Sequence, residues 1–536
     1  MSTNISKQKR EDLLYKIEEI RKYLKNNLYD ENARNLMGYL NELTTQINGQ
    51  KYGLVFEEHR EKIDEILEGH LPVLTEEKEL FVGNGGEMNF LLEGDNLASL
   101  QLLEKTHKGK IDVIYIDPPY NTGKEFIYND DLVDGIDEFK HSKWLSFMSE
   151  RLQIAKGLLK ATGVIFISID DNEHCDLKIL CDEIFSENNF ISDFCVIRAE
   201  GGGMAKQVIK GHDYCLVYAR NISQFTPLAK EKDIRGKVIE KDGIKYWVQE
   251  DWLRKEFGKY GNCHYEELIE YKGESFKKEI DKGIEKGDYI LIPKDNGLTV
   301  IGKLRRLDMD SSKFYSVLKH LNKNGVNELK ELNINFDYPK PTSLIKELVS
   351  GATFFNKSST ILDFFAGSGT TGHAVLKLNA EDGGHRKFIL CTNNENGICR
   401  DITYERLKTV ITGERKDGSK YSDGLSGSLK YLKVDFVEIT EKEYYEYADK
   451  LLLHVRELVE LENAVDFEHN TAVAIVLTEE ELEAFTEKIV GSSPTMTRTL
   501  YLGHDVLLSK AQKVLFDQNG ISVKIIPQYY YPELNG

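Results

Sequence analysis

The sequence has little proline and almost no sign of cysteine chemistry. Ten prolines and seven cysteines stand among 536 residues, and the cysteines are scattered without a Cys-x-x-Cys pair. Scattered thiols are typical of a reduced, cytosolic protein in which most cysteines are buried, and no His/Cys cluster has the spacing of a zinc site. The sequence therefore argues against a disulfide framework and predicts no metal centre.

Long apolar runs are also absent. The longest runs, residues 164–169 and 472–477, have the length of strands and are too short to cross a bilayer. The first ten residues contain no apolar core, so no signal peptide is expected. We therefore expect a cytoplasmic protein, and the length predicts more than one domain.

Positive charge is scarce, because the formal net charge is −19. Taken alone, this charge argues against nucleic acid as a partner. Phosphates, however, feel the local field within about 10 Å, and one stretch reverses the sign. Residues 303–323 contain six basic residues and two acidic ones. The candidates for DNA contacts in this stretch are Lys303, Arg305, Arg306, Lys313 and Lys319. The alternative interpretation is a solvated helix face.

The pattern of apolar residues divides the chain into five segments. Residues 1–80 have the periodicity of a small helical module. Residues 81–221 and 335–427 alternate strands with helices, which predicts an α/β fold with a parallel sheet and helices on both faces. Residues 222–334 are polar and weakly periodic, as expected of an inserted domain. Residues 428–536 predict a mixed α/β segment with a helix near 443–463 and a tyrosine-rich tail at 529–531.

The most informative motif is Asp117-Pro118-Pro119-Tyr120, which ends the apolar run 111–116. A β-branched run closed by two prolines predicts a buried strand that stops abruptly at the sheet edge where α/β folds bind ligands. The motif suits a flat base with an exocyclic amine. Asp117 and the Pro118 carbonyl would accept its two hydrogens, and Tyr120 would stack on the ring. The alternative is that the prolines simply end a strand.

A glycine motif forms the second candidate site. Residues 367–372 follow a predicted strand, open a helix and have the GxGxxG spacing of a nucleotide-binding loop. His373 stands where a Walker lysine would be, which argues against a nucleoside triphosphate. NAD and S-adenosylmethionine remain candidates, since Glu395 could hold the ribose hydroxyls of either. Asp363 favours S-adenosylmethionine, because that cofactor has an amino group that a carboxylate would bind.

Together the two motifs predict transfer of a methyl group to an exocyclic amino nitrogen. Methylation at C5 of cytosine needs a cysteine nucleophile, and no proline here is followed by cysteine, so the Pro-Cys site of that chemistry is absent. An NAD-dependent Rossmann oxidoreductase is the competing interpretation. It leaves the motif at 117–120 without a role.

The chain resembles the β-class amino-methylating DNA methyltransferases, in which the catalytic motif precedes the target-recognition region and the cofactor motif follows it. More narrowly, it resembles the Mod subunit of type III restriction–modification systems. The stretches that carry the resemblance are 52–57, 93–97, 117–123, 336–341, 362–374, 379–386 and 429–436. The resemblance implies a Rossmann-like S-adenosylmethionine-dependent methyltransferase core with a target-recognition domain inserted at 222–334.

The resemblance also implies roles for single residues. Asp117, Pro118, Pro119 and Tyr120 would hold the target base, and aspartate at the first position is typical of adenine N6 methylation. The cofactor would contact Asp95, Asn96, Lys340, Thr342, Asp363, Phe365, Gly367, Ser368, Gly369, Thr370 and Glu395.

The resemblance further implies double-stranded DNA as the substrate, with the target adenine flipped out of the duplex. The expected partners are a second copy of the chain and a separate restriction subunit, since no helicase or nuclease motif is present. The terminal segments, 1–80 and 428–536, are candidates for dimerisation or docking. Two alternatives stay open: a recognition subunit with an inactive core, and methylation of protein or RNA amides. Relatives of the latter kind carry asparagine at the first motif position.

Overall fold

The computed structural model describes most of the chain. The described residues are 5–25, 36, 40, 44, 54, 56–122, 139–200, 208–234, 236–256, 261–307, 309–439, 451, 454–467, 472–491, 496–503 and 506–526. The predicted tail at 529–531 and part of the predicted helix at 443–463 lie outside them. The chain divides into two compact units, Met1–Phe56 and Glu57–Gly536.

The first unit contains the helix that its periodicity predicts. Helix α1 spans Ile5–Lys25. Its side chains Ile17 and Leu24 are buried in one cluster with Leu40. The Arg21 guanidinium donates to the Leu40 carbonyl and to the Thr44 hydroxyl. The buried side chains of α1 thus lie with Leu40, whereas Leu13 and Ile20 of the same helix are exposed.

The second unit is built from strands and helices that alternate along the chain. Its strands are β1 His70–Glu76, β2 Val82–Gly83, β3 Met88–Glu93, β4 Ile111–Ile116, β5 Leu159–Ile169, β6 Phe190–Ile197, β7 His212–Ala219, β8 Ala229–Glu231, β9 Val238–Lys241, β10 Ile244–Gln249, β11 Tyr289–Pro293, β12 Thr299–Arg306, β13 Ser311–Lys313, β14 Val317–Lys319, β15 Thr360–Asp363, β16 Lys387–Thr392, β17 Ser428–Glu438, β18 Val473–Val476, β19 Thr499–Leu502 and β20 Ser522–Ile525. Its α-helices are α2 Lys62–Gly69, α3 Asn96–His107, α4 Lys140–Leu158, α5 His174–Cys181, α6 Leu268–Lys272, α7 Glu274–Lys286, α8 Asn322–Glu331, α9 Thr342–Ala352, α10 Thr370–Asp382, α11 Glu405–Thr412, α12 Val455–Asn463, α13 Glu479–Gly491 and α14 Lys510–Gln518.

A large sheet dominates this unit. Among the described residues it has eleven strands in the order β1-β17-β3-β16-β15-β4-β5-β7-β6-β14, with β2 paired to β17. The strands from β17 to β5 run parallel to one another. Strand β4 is buried along nearly its whole length, as expected of a strand covered on both faces by helices. The α/β fold class predicted from the sequence is confirmed.

The prediction of a parallel sheet is wrong at three strands. β7 runs antiparallel to both β5 and β6, and β1 and β2 both run antiparallel to β17. The described residues between β6 and β7, 198–200 and 208–211, contain no helix, and β7 returns beside β6 in the opposite direction. The sheet also takes in β1 and β17, which lie outside the segments 81–221 and 335–427.

The segment 222–334 adds β14 to the edge of the large sheet, and its other strands form smaller sheets. Strands β11-β12-β10-β9 make an antiparallel four-stranded sheet, and β13 pairs with β8. Helices α6 and α7 pack near this sheet over a core that includes Leu268 and Ile280. The basic stretch therefore lies largely on strands, so the helix-face interpretation of it is wrong.

The last segment contains a second small α/β arrangement. Strands β18, β19 and β20 form a parallel sheet with a core that includes Leu482 and Phe516 of helices α13 and α14. Lys430 on β17 is buried and ion-paired with Glu76, Glu460 and Asp466, which ties this segment to the large sheet. All seven cysteines are free and five are buried. In the part of the chain that the structure describes, no helix is long and apolar enough to span a membrane.

Candidate active site

Four of the predicted acidic residues follow neighbouring parallel strands. Asp95 comes after β3, Asp117 after β4, Asp363 ends β15, and Glu395 comes after β16. These strands are adjacent in the sheet, in the order β3-β16-β15-β4. Because they run parallel, their carboxyl ends meet at one edge, which is where α/β folds bind ligands. The fold thus brings the two predicted motifs to the same edge.

Lys340 contacts both motifs, one with its side chain and the other with its backbone carbonyl. Its ammonium lies 3.4 Å from Asp117 Oδ1 and 3.3 Å from Asp213 Oδ2, and it donates to the Tyr120 hydroxyl over 2.5 Å. The Lys340 carbonyl accepts from the Thr370 hydroxyl, at the start of the helix after the glycine motif. The sequence predicts that Lys340 contacts the cofactor; in the structure its ammonium lies on the target-base motif.

Asp117 is poised as a strong acceptor. The Tyr120 hydroxyl donates to Asp117 Oδ1 over 2.7 Å, which fixes the tyrosine ring beside the carboxylate. Burial raises the pKa of Asp117, while Lys340 and the Tyr120 hydrogen bond lower it and the charge of Asp213 raises it again. A carboxylate whose pKa is raised holds a proton more readily, as a group that accepts hydrogen bonds and finally a proton requires.

Hydrogen bonds from other segments fix the backbone of the motif at 117–120. The Trp144 indole donates to the Pro119 carbonyl over 2.7 Å, so of the two proline carbonyls that of Pro119 is already engaged. Asn121, which follows the motif, has a positive φ of 51° and donates to Glu173. His141 Nδ1 also lies 2.7 Å from Glu173. These contacts anchor the strand end that presents Asp117.

His141 and Glu173, together with Asp176, are the one group of possible metal ligands found among the described residues. Asp176 Oδ2 is 3.9 Å from His141 Nδ1, and Glu173 Oε1 already accepts from Asn121. We therefore interpret this group as support for the motif.

The glycine motif forms a tight loop that leads into α10. Gly367 and Gly369 have φ values of 48° and 74°, a region that favours glycine. Asp363 Oδ1 accepts from the Phe365 amide and Oδ2 from the Thr371 hydroxyl, so the carboxylate braces the loop on both sides. Burial raises the pKa of Asp363 to about 7.

A buried arginine, which sequence reasoning did not identify, clamps this loop. The Arg406 guanidinium donates to the Ser368 carbonyl and hydroxyl and to the Thr370 hydroxyl. It also donates to the Thr342 hydroxyl and pairs with Glu328. Thr342, predicted to contact the cofactor, therefore already has partners inside the protein. Arg406 joins the glycine loop to the start of α9.

The remaining predicted cofactor contacts lie around the same edge. Asp95 caps α3 by accepting from the Leu97 and Ala98 amides, and Asn96 accepts from the buried Arg151. The Phe365 ring packs against the Phe147 ring, with 5.7 Å between the ring centroids. These contacts set the orientation of Asp95, Asn96 and Phe365, which are predicted to contact the cofactor.

The edge has the donor set that S-adenosylmethionine needs. A buried carboxylate, Asp363, suits an amino group, and the half-exposed Glu395 suits ribose hydroxyls. The buried hydroxyl of Thr392, at the end of β16, has no hydrogen-bond partner in the described structure. The residues present therefore fit this cofactor. Asp363, Glu395 and the glycine loop are the groups that would hold it.

The predicted DNA-contacting residues do not share one element. Lys303, Arg305 and Arg306 lie on β12, whereas Lys313 lies on β13 and Lys319 on β14. Arg305 is ion-paired with Asp310 at 2.9 Å, and Lys319 with Glu200 at 2.7 Å. The Lys303 ammonium lies over the Trp252 ring. Arg306 and Lys313 are exposed.

Sequence reasoning missed Asp213, Arg406 and Trp144, and it gave Lys340 only a cofactor role. Asp213 and Arg406 stand in segments without a recognisable motif, and each acts through contacts with residues far away in the chain. No pattern along the sequence reports such contacts. Trp144 offered a weak signal, since a tryptophan in a helix just after the motif must find a partner for its N–H if buried.

Comparison with known proteins places these motifs in a family. Residues 111–405 match the family model described as DNA methylase. The chain is 34% identical over 378 residues to the type III restriction-modification enzyme StyLTI Mod subunit of Salmonella typhimurium, covering 61% of this chain and 56% of that protein. It is 33% identical over 384 residues to the type II methyltransferase M.KpnI of Klebsiella pneumoniae, covering 64% of this chain and 90% of that protein. It is also 33% identical over 383 residues to the EcoPI Mod subunit of Escherichia phage P1, covering 58% of each chain.

The extent of these matches differs between the two kinds of relative. The aligned region spans a little over half of the two Mod subunits but nine-tenths of M.KpnI. The region that the family model matches, residues 111–405, contains both motifs and the segment between them.

Proposed function

The chain belongs to the family of DNA methylases that its residues 111–405 match, and on this premise we propose that it methylates adenine at N6 within a short DNA sequence. The methyl donor is S-adenosylmethionine. One observation carries the proposal: Asp117 and Asp363 stand at the ends of the paired strands β4 and β15, and Lys340 contacts both motifs. A base held at Asp117 and a donor held at the glycine loop would lie in one pocket.

The residues of the first motif activate the amine. Asp117 and the Pro118 carbonyl accept its two hydrogens, which localises the nitrogen lone pair toward the donor. Tyr120, fixed by its hydrogen bond to Asp117, stacks on the base, and such stacks contribute about 1–3 kcal/mol toward the cost of base flipping. The nitrogen would take the methyl group as the donor's carbon–sulfur bond breaks and leaves its electron pair on the sulfur. Asp117 would then accept the proton that the nitrogen loses, which its raised pKa favours.

The cofactor supplies a methyl group on a sulfonium sulfur. Asp363 would hold its amino group and Glu395 its ribose hydroxyls, while Arg406 keeps the glycine loop closed against α9. Adenine, and not cytosine, is the target, because family members with aspartate at the first motif position methylate adenine N6.

The segment 222–334 is the target-recognition domain in this proposal. It follows the first motif and precedes the second, and it presents an antiparallel sheet whose strand β12 carries Lys303, Arg305 and Arg306. Phosphate contacts from this strand would position the duplex, while other side chains of the segment read the bases.

The chain is also proposed to act as the modification and specificity subunit of a type III-like system in the cytoplasm. The similarity to two Mod subunits supports this role. Cleavage would then require a separate restriction subunit. A homodimer, with residues 1–80 or 428–536 at the interface, completes the proposal.

The test is direct. The purified chain is incubated with unmodified plasmid DNA and S-adenosylmethionine, and the DNA is digested to nucleosides for mass spectrometry. The proposal expects N6-methyldeoxyadenosine. N4-methyldeoxycytidine would overturn the base assignment. If no modified nucleoside forms while the chain binds both DNA and cofactor, the chain is a recognition subunit with an inactive core.

A further inference from the structure

We propose that Asp213 is a positioning residue of the methyl-transfer site, which shares the Lys340 ammonium with Asp117 and so keeps Asp117 available to the target amine. The inference rests on the proposed function. It concerns a residue outside both motifs, on strand β7.

The geometry places one ammonium between two carboxylates. Lys340 Nζ lies 3.3 Å from Asp213 Oδ2 and 3.4 Å from Asp117 Oδ1. The side chains of Asp213 and Lys340 are 5% and 10% exposed, so water screens these charges little. At nearly equal distances neither carboxylate takes the whole charge of the ammonium.

A second cation completes the arrangement on the far side of Asp213. Arg198 Nη1 lies 3.1 Å from Asp213 Oδ1, and its side chain is 29% exposed. The four groups form an alternating series of charges: Asp117, Lys340, Asp213, Arg198. In such a series each inner charge is partly neutralised by two neighbours, and its hold on either one is weakened.

This sharing has a consequence for the reaction. If Lys340 paired with Asp117 alone, the carboxylate would be a weaker base and a poorer acceptor for the amine. Asp213 draws the ammonium back, while Lys340 still bonds to the Tyr120 hydroxyl and fixes the stacking ring. Asp213 thus acts on the amine through Lys340 and Asp117 without touching the base.

The other ionisable groups around Asp117 do not provide this effect. Those that face it are Tyr115 on β4, Tyr120, Cys215 on β7, Lys340 and Asp363 on β15. The tyrosines and the cysteine are neutral near pH 7, since burial raises the pKa of each. Asp363 is bonded to its own loop. Besides desolvation, the influence that raises the pKa of Asp117 is the charge of Asp213.

Two substitutions with opposite effects test the proposal. Asp213→Asn removes the second carboxylate, so the ammonium turns to Asp117. We expect the plateau rate of methylation, measured in a single turnover at saturating plasmid DNA, to fall roughly tenfold. The acid limb of the pH profile of this rate should move to lower pH by roughly one unit. Arg198→Gln frees Asp213 to act more strongly on Lys340. This substitution should move the acid limb of the pH profile to higher pH.

Asp193→Asn is the matched control. Asp193 lies on the neighbouring strand β6 and bonds to His174, so this variant should leave both the plateau rate and the acid limb unchanged.

A readout independent of activity keeps the inference separate from the proposed function. The carboxyl titration of Asp117 is followed by NMR in protein with labelled aspartate, with the signal assigned by its loss in Asp117→Asn. Opposite shifts in the two variants support the inference even if the wild type methylates nothing, in which case only the proposed function fails. Shifts in the same direction, or none, overturn it. If Asp213→Asn does not fold, as judged by thermal melting, Arg198→Gln decides alone: an upward shift supports the inference and no shift overturns it.

Discussion

The ammonium of Lys340 lies 3.4 Å from Oδ1 of Asp117, although the whole inserted segment separates the two residues in the chain. Lys340 belongs to the loop before α9, and its carbonyl contacts the helix that follows the glycine motif. One residue therefore touches the structures proposed to hold the base and the methyl donor. Its side chain contacts the first motif and its backbone carbonyl the second.

The first prediction concerns the acceptor of the amine. Asp117→Ala should lower the methylation rate by about two orders of magnitude or more, because it removes a hydrogen-bond acceptor and the proton acceptor together. Binding of S-adenosylmethionine, measured by calorimetry, should change little. Asp112→Asn is the control, since Asp112 lies on the same strand and bonds to Lys160. Methylation retained by Asp117→Ala would remove Asp117 from the mechanism.

The second prediction concerns the pH dependence of cofactor binding. Burial raises the pKa of Asp363 to about 7, so the carboxyl is largely neutral in the free protein below that pH. A cationic amino group prefers the ionised carboxylate, and binding must then release a proton. We expect affinity for S-adenosylmethionine to fall about tenfold for each pH unit below 7.

Calorimetry in buffers of different ionisation enthalpy measures the proton that is released. Asp363→Asn should bind more weakly at pH 8 and lose the pH dependence. An affinity that is the same for the wild type at pH 6 and pH 8 would place the amino group elsewhere.

The third prediction separates clamping from general stability. Arg406→Lys cannot make the several hydrogen bonds of the guanidinium, so the glycine loop should loosen and cofactor affinity fall roughly tenfold. Arg386→Lys is the matched control, because Arg386 is equally buried and bonds to Asp382 and Thr353. Both variants should melt earlier, but only Arg406→Lys should weaken cofactor binding. Equal losses of affinity in both would reduce Arg406 to a packing role.

The fourth prediction concerns DNA. Reversal of charge at Arg306 should weaken binding to plasmid DNA and reduce the slope of log affinity against log salt by about 0.9. Arg305→Glu should have a smaller effect on the slope, because Arg305 is less exposed than Arg306. Filter binding at several salt concentrations measures both.

Lys510→Glu, the same change of charge in the C-terminal segment, serves as the control for these variants. Identical slopes for the wild type and Arg306→Glu would exclude strand β12 from the DNA interface.

Local sequence patterns predicted much of the fold and the positions of both candidate sites. The apolar run before Asp117 and the glycine loop after Asp363 each have a signature within a few residues, and the structure places both at the same sheet edge. Family membership, predicted from the same stretches, is confirmed. The order of motifs around the insertion is likewise a property of the sequence alone.

What the sequence could not predict depends on contacts between distant segments. The antiparallel course of β7 sets Asp213 against Lys340, and no periodicity within β7 reports its direction. In sequence, the basic stretch taken in isolation favoured a solvated helix face, with a DNA site as the competing interpretation. The structure distributes it over three strands, with Arg305 and Lys319 paired to acidic partners that a count of charges does not reveal.

The central claim is tested most directly by single-molecule sequencing of modified bases in DNA from cells that express this chain alone, beside cells that express Asp117→Ala. The account predicts N6-methyladenine at one short sequence motif throughout the genome and none in the variant. An unmodified genome, from cells whose purified protein still binds S-adenosylmethionine and DNA, would contradict it.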